Sequence, residues 1–292
     1  MRVSDKATYQ LHQKNLSRLK SAWTESQEQA VRGRRVLKPS DDPLATSLAV
    51  RERSKSARAD SYSRSIDMAN HRLDATDRTL GDVASALRRV RELTVQASND
   101  TITALERTDI AVEIRSLRDT IHSLANTKEA GSFIFAGFPD DSAPFDPAGT
   151  FLGSSDVAEL EVSPGVRVAV GIAGDEAFSG AGGGVDVFTV IDDLVTALET
   201  DDIVGIQGSL DTVDAAHAQV VSSRGEVGSR QVQLDVSQGV VDRFKDRAEI
   251  RQGELIGKDS VDAILELEQA QGAYQAAVQI ASQLPGPSLV GG

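Results

Sequence analysis

The chain has no cysteine among its 292 residues, which excludes disulfides and thiolate metal sites and removes the nucleophile of Cys–His chemistry. Aromatic residues are scarce too, at 4%, with one tryptophan and eight phenylalanines. So thin an aromatic share suits long helices packed through Leu, Ile, Val and Ala better than a large enzyme core. No run approaches the roughly 18 apolar residues of a membrane-spanning helix. Met1 to Leu19 carries Arg2, Asp5, Lys6, His12 and Lys14 and no apolar h-region, so a cleavable secretory signal is not expected there. General secretion rules alone would keep such a protein in the cytoplasm. A basic surplus is missing as well. The net charge of −13 argues against nucleic acid as a partner, since phosphate recognition needs a basic footprint.

The charge is unevenly spread. Residues 1–58 hold 13 Lys/Arg against 6 Asp/Glu, a net +7. Residues 139–215 hold 16 Asp/Glu against one base, Arg167, a net −15. A basic start and an acidic middle imply segments that face different surroundings, although a solvated acidic surface would give the same count in the middle.

Constellations that carry chemistry are missing. His12, His71, His122 and His217 are scattered without the i,i+3 or i,i+4 spacing of two-histidine metal sites on helices. Gly253 with Gly257-Lys258-Asp259 is one residue short of a phosphate loop, and Asp259 stands where Ser or Thr would hold magnesium. Gly182 to Gly184 lacks dinucleotide-binding spacing. There is no G-x-S-x-G elbow. The acid pairs Asp41-Asp42, Asp192-Asp193 and Asp201-Asp202 read as helix-start caps or solvated surface, because adjacent residues do not face a common cleft. Arg32, Arg34 and Arg35 read as a solvated loop. Catalytic residues, cofactor and metal are therefore not expected.

What the sequence does have is periodicity. From Ile66 the positions Ala69, Leu73, Thr76, Leu80, Val83, Leu87, Val90, Thr94 and Ala97 alternate spacings of three and four, the narrow stripe of a coiled-coil-like rod. The stripe extends back, more weakly, through Tyr62, Ala59 and Leu48 to Ala45, with Glu52 and Lys55 interrupting it. Asp42-Pro43 is a start signal, so the spacing predicts a helix from Pro43 to Ser98. Thr103 with Glu106 reads as a capping box opening a second helix striped by Ile110, Ile114, Leu117, Ile121 and Leu124. So short a connection predicts an antiparallel hairpin. Upstream, Tyr9, His12, Leu16, Leu19, Trp23, Ser26 and Ala30 form a poorer stripe that ends at Gly33, and a helix with so thin an apolar face needs a partner. Further helices are predicted over Phe188–Leu198, Ile206–Leu234 and from about Val261 through Ile264, Leu267, Tyr274 and Val278, with Asp259 as cap and Leu284-Pro285-Gly286-Pro287 as the end. Between them lie a short strand at Phe133-Ile134-Phe135 and a hairpin, Val157–Val162 with Val166–Ile172, turning at Pro164-Gly165. Ala181 to Gly184 reads as a flexible joint. The fold class expected is mainly α with a small β insert, built as long antiparallel helical rods from both chain ends with the β-rich domain at the tip. Its divisions are 1–42 with 246–292 as terminal helices, 43–138 with 186–245 as the rod, and 139–185 as the insert.

Four stretches carry a resemblance. Arg34 to Pro43, reading RRVLKPSDDP, resembles the segment after the first helix in the bacterial flagellin family, and its two prolines resemble the branch that joins hook to filament. Arg88 to Ser98, RRVRELTVQAS, resembles the family's inner-core helix. Ala125 to Phe138 with Ala143-Pro144-Phe145 is similar to the helix-to-strand exit of the junction branch, and Gly174 to Phe178 to the close of its insert. The resemblance covers residues 1–145 and about 205–292. It departs at Val290-Gly291-Gly292, where the family has an apolar, often aromatic, tail.

The resemblance implies a structural flagellar subunit, extracellular and exported without a cleaved signal through the flagellar type III channel. Its implied partners are a hook-associated protein on the hook side, flagellin on the filament side, an export chaperone beforehand, and copies of itself in a ring, with neither nucleic acid nor membrane. Terminal segments disordered in the monomer would fold on docking. The residues expected to make that contact are Leu16, Leu19, Trp23, Ile264, Leu267, Tyr274 and Val278. A flagellin filament subunit remains an alternative, and so does a cytoplasmic coiled-coil scaffold, which would explain the heptads but not the insert.

Overall fold

A computed structural model describes residues 2–139 and 141–283. The expected stop at Leu284 to Pro287 and the tail beyond it lie outside the described residues. Packing divides the chain into two units, one from the described residues of 1–58 and 243–292, the other from 59–242. The division expected from sequence texture ran at 42 and 246.

The longest stripe makes the longest helix. Helix α2, Pro43–Ala97, runs 55 residues without a break. Every stripe position from Ile66 to Ala97 is buried. Threonine is tolerated in that seam because Thr76 and Thr94 turn their hydroxyls back to the carbonyls of Arg72 and Val90, at 2.9 and 2.7 Å. Glu52 and Lys55 do not break the helix, for the largely buried Glu52 carboxylate pairs at 2.8 Å with the half-exposed Lys55 ammonium.

Within 59–242, α2 is matched by α6, Ile203–Ile256. Their flanks are pinned by Asp77–Arg224, Asp74–Gln231 and Ser63–Gln238 at 2.9, 2.7 and 3.0 Å. The α2 numbers fall as the α6 numbers rise, so the pair is antiparallel. Helix α6 outruns its expected end at Leu234 by six turns, because Ser237, Val241 and Ala248 continue the buried seam with small side chains. Helix α3, Ala104–Ala125, opens with the expected capping box, both Thr103 and Glu106 bonds being present. It packs on α5, Val187–Glu199, capped by Asp186. Arg107 is buried at the α2–α3 turn and donates to Ala97 O, Asn99 O and Asp201 at 3.0, 3.1 and 2.6 Å. It thereby satisfies carbonyls that the end of α2 leaves open.

The insert is smaller in regular structure than the sequence predicts. Strands β1, Lys128–Glu129, and β2, Ser132–Phe133, form one short hairpin. Ile134 and Phe135 leave it to enter the core instead of extending the strand. Strands β3, Glu159–Ser163, and β4, Val166–Ala169, form the hairpin expected around Pro164-Gly165, with an irregularity between Glu161 and Ser163. Gly165 takes a left-handed φ of 77° there. The few phenylalanines are concentrated here. Phe178, on the short helix α4, Gly174–Phe178, has Phe135 and Phe145 with ring centroids at 5.1 and 5.4 Å, and Phe145 meets Phe151 and Phe188 at 5.4 Å.

The insert lies along the flanks of the helices, held by side chains that reach insert backbone. Arg72 donates to Phe133 O at 3.2 Å, Arg118 to Ala148 O at 2.9 Å, and Arg230 to Gly171 O. Gln219 donates to Ala177 O and Val185 O, both at 3.1 Å, and accepts from Val185 N. Such bonds give the insert's backbone carbonyls side-chain partners where its strands are few and short. Glu176 on α4 meets Glu226 on α6, and burial with that second carboxyl raises its pKa against the opposing pull of Arg230.

Candidate assembly interface

The terminal unit is built on different terms. Helices α1, Arg2–Arg32, and α7, Ser260–Gln283, pack on each other. The α1 seam is the predicted stripe, His12, Leu16, Leu19, Trp23, Ser26 and Ala30 being half-buried and Tyr9 41% exposed. Trp23 and Tyr274 stack with centroids 5.4 Å apart and planes 12° from parallel. On α7 the seam is Ala263, Leu267, Ala270, Tyr274, Ala277 and Ala281, so alanine does much of the packing. The structure therefore separates the predicted contact residues. Leu16, Leu19, Trp23, Leu267 and Tyr274 lie on the seam, whereas Ile264 and Val278 face outward, 56% and 41% exposed. Sequence spacing joined them because it follows large side chains and passes over alanines.

The other ends of these helices meet at a loop knot. Gly33 ends α1 with φ 61°, a left-handed cap that glycine adopts without strain. Arg34 bridges Gly257, Lys258 N donates to Gly33 O at 3.1 Å, and Arg35 N donates to Ile256 O at 2.8 Å. The Lys38-Pro39-Ser40-Asp41-Asp42 turn closes on its own acids. Asp41 accepts from the amides of Leu37 and Lys38 at 3.1 and 2.7 Å, and Asp42 accepts from Ala45 N at 2.9 Å, capping α2. The Ala45 amide first, then the Arg35 guanidinium, hold the Asp42 carboxyl below its ordinary value. Arg35 stays in an exposed loop as expected, its side chain 52% exposed, and it also donates to Leu255 O at 3.1 Å. Lys258, 9% exposed, joins Gln29 at 2.6 Å and pairs with Glu266.

This unit has almost no core. Val36, Ala45, Ala49, Ala248 and Ala263 are its buried apolar residues among those described, and every member of the main hydrophobic cluster lies within 59–241. Leu11, Leu44, Val261, Ile264, Leu265 and Ile280 are each more than half exposed. Among the described residues no three His, Cys, Asp or Glu side chains are grouped to hold a metal ion. No described helix is long and apolar enough to cross a membrane. What the arrangement can do is present an unfinished apolar surface on a helix pair.

Long antiparallel helices, a small β insert and a coreless pair of terminal helices define a flagellin-like axial subunit. The bacterial flagellin N-terminal helical region matches residues 3–139. The flagellar hook-associated protein 3 of Escherichia coli (strain K12) is 30% identical over 213 residues, 68% of this chain and 67% of its own length. Its counterpart in Salmonella typhimurium is 25% identical over 99% of this chain and 98% of its own. A solved flagellar hook-associated protein from Vibrio parahaemolyticus superposes with a TM-score of 0.69 at 25% identity, covering 74% of this chain and all of that one. The chain belongs to the flagellar hook-associated protein 3 (FlgL) family. Its relatives are structural flagellar proteins.

Proposed function

We propose that this chain is the structural subunit that joins the flagellar hook, through the neighbouring hook-associated protein, to the flagellin filament. The observation that carries the mechanism is the coreless terminal unit. Helices that bury alanine and leave Ile264, Leu265 and Ile280 in water gain little by folding alone. They gain much by docking in a tube of like helices. The arms, about 1–42 and 246–292, are then disordered in the free subunit and order as it seats, the seam closing first at Trp23 and Tyr274. Ile264 and Val278, turned outward, are contacts to neighbours and not to α1. The insert, about 139–185, faces outward, where its acidity opposes side-to-side aggregation. Copies stack by heterologous contacts in a ring. The chain leaves the cell without a cleaved signal, held until then by an export chaperone.

A filament subunit would share the helices and the arms. The junction reading is favoured by kinship that runs through the insert, the Salmonella protein matching 99% of this chain, and by Pro39 and Pro43 in the loop knot. A strain deleted for this gene tests the proposal, with electron microscopy of its hooks and an assay of flagellin in the medium. Bare hooks with flagellin spilled into the medium are expected. Bare hooks capped by junction proteins with no flagellin released would make this chain the flagellin, and normal filaments would refute both.

A further inference from the structure

Helix α6 turns Val213, Val220, Val227, Leu234 and Val241 inward. The face opposite, in a chain with 26% charged residues, would be expected to carry charge. Between Val221 and Val240 it carries none. The residues there, at spacings of three and four, are Val221, Gly225, Ser229, Val232, Val236 and Val240. The four valines are 46%, 63%, 64% and 43% exposed. Helix α3 has a second such row. Opposite its buried Ile110, Ile114 and Ile121 stand Leu105, Thr108, Val112, Ser116, Thr120 and Ser123, all exposed, Leu105 at 74% and Val112 at 60%. At ~1.5 Å per residue the two rows are about 29 and about 27 Å long. The charges nearest the α3 row, Asp109 and Asp119, stand at its edges and keep their carboxylates in water.

The two rows fit each other in size. The α3 row is bulky first, at Leu105 and Val112, and small after, at Ser116, Thr120 and Ser123. The α6 row is small at Gly225 and Ser229 and bulky after, at Val232, Val236 and Val240. Laid side by side in one direction with Val112 against Ser229, the rows set large side chains against small ones, and only Leu105 meets bulk, at Val221. The direction is given by the fold. Arg89–Glu113 and Arg107–Ala97 O show α3 antiparallel to α2, as α6 is, so α3 and α6 run the same way. Copies that share an orientation therefore bring them together parallel, and in that arrangement Asp119 and Asp235 fall on opposite edges of the contact. Within one copy, Arg89–Glu113 and Arg91–Asp214 hold Val112 level with the turn of α6 that carries Asp214. Seating Val112 at Ser229 thus steps the second copy roughly 20 Å along the rod. We propose that the α6 ridge of one copy packs parallel on the α3 row of the next. Each partner uses a different surface, so the contact is heterologous and repeats in one direction around a ring. It supplies the contact between copies in the junction reading and rests on that reading for its setting. One helix face on each side is a small contact, so it is read in the assembled ring and not in the free chain.

The absence of cysteine makes the test clean. Ser116→Cys and Val232→Cys, placed together in the full-length chain in complemented deletion cells, would be cross-linked by a short bis-maleimide in isolated hooks with their filaments. Denaturing gels would show a ladder of multimers. Either single variant would give none, since a heterologous contact never sets a residue against its own copy. Ser116→Cys with Val221→Cys, about 16 Å out of register, would give none either. Val236→Asp, at an exposed position, would leave the melting midpoint of the purified chain within about 1 °C and cut filament counts by roughly tenfold or more. The proposal is overturned if the matched pair gives no ladder, if Val232→Cys links to itself, if the out-of-register pair links as well as the matched one, or if Val236→Asp attaches filaments like wild type. Those failures would leave the junction reading standing, which answers to the deletion strain alone.

Discussion

Removing the Trp23 ring should separate assembly from folding. The ring stacks on Tyr274 at 5.4 Å and belongs to the terminal unit, while the main apolar cluster lies in 59–241. Trp23→Ala forfeits about 1 kcal/mol of stacking beyond area burial, but in a helix pair that contributes little to the cooperative core. The thermal midpoint of the monomer should therefore move by less than about 1 °C, since 1 kcal/mol in a domain of this size shifts it by roughly 2–4 °C. Assembly is different. Once docking buries the ring fully, Trp→Ala costs about 3–5 kcal/mol, a loss of roughly a hundredfold or more in seating affinity. Tyr274→Ala should match it and Tyr274→Phe, which keeps the stack, should not. Because the two rings share one contact, the double alanine variant should lose less than the sum of the singles by about 1 kcal/mol. The assay is paired: scanning fluorimetry on pure protein, and filament counts by electron microscopy on complemented deletion cells. A midpoint lowered by more than about 3 °C would mean the arms belong to the folded core of the monomer. Normal filament counts would mean the stack is not part of the mating surface.

Arg107→Ala should cost the monomer about 3 kcal/mol, because it leaves Ala97 O and Asn99 O without a donor at a buried turn. Asp201→Asn should cost under about 1 kcal/mol, that carboxylate being 46% exposed; urea unfolding checks both, and equal losses would contradict this assignment. Gly137→Ala should destabilise the insert severely, since φ is 76° and an added Cβ would stand 1.8 Å from Ser154 O; a melting curve like wild type would refute it. The pH dependence has two signs. Thr103 lowers the Glu106 pKa through the capping box, so that contribution is present above the ordinary carboxylate range and is lost as pH falls through the depressed value. Burial and Glu226 raise the Glu176 pKa, so its contribution is present in acid and is lost as pH rises through the raised value. Glu176→Gln should therefore gain midpoint over wild type as pH climbs from about 4 to about 7, and a constant difference across that range would exclude the carboxyl pair as its cause.

The helices were legible because their seams are written in single residues at fixed spacing. Ile66 to Ala97 needs no knowledge of its partner to be read as a seam, and Thr103 with Glu106 marks a start by local hydrogen bonding alone. The insert was legible only in outline. Ile134 and Phe135 have strand character, but Phe135 is buried against Phe178, itself packed on Phe145, and aromatic packing at long sequence separation overrode local propensity. The terminal seam was half legible for the opposite reason. Ala263, Ala270, Ala277 and Ala281 have the spacing but not the bulk that attracts attention, so Ile264 and Val278 were grouped with Leu267 and Tyr274.

That same alanine seam bears on how the arms work. A seam of leucines would hold α1 and α7 together in water and leave a stable helix pair to be carried through export. Alanine at four of six α7 seam positions keeps the pair's own packing weak, while the bulk is displaced one residue outward, to Ile264, Leu265, Val278 and Ile280. Burial of those side chains, at about 25 cal/mol per Å² of apolar surface removed from water, becomes available only when another helix arrives. Large residues outside and small ones inside give an arm more to gain from its neighbours than from itself. Exchanging Ala270 and Ala277 for leucine should therefore make the arms resistant to proteolysis in the free subunit and impair filament attachment. Arms that become resistant while attachment proceeds normally would show that disorder in the monomer is incidental to assembly.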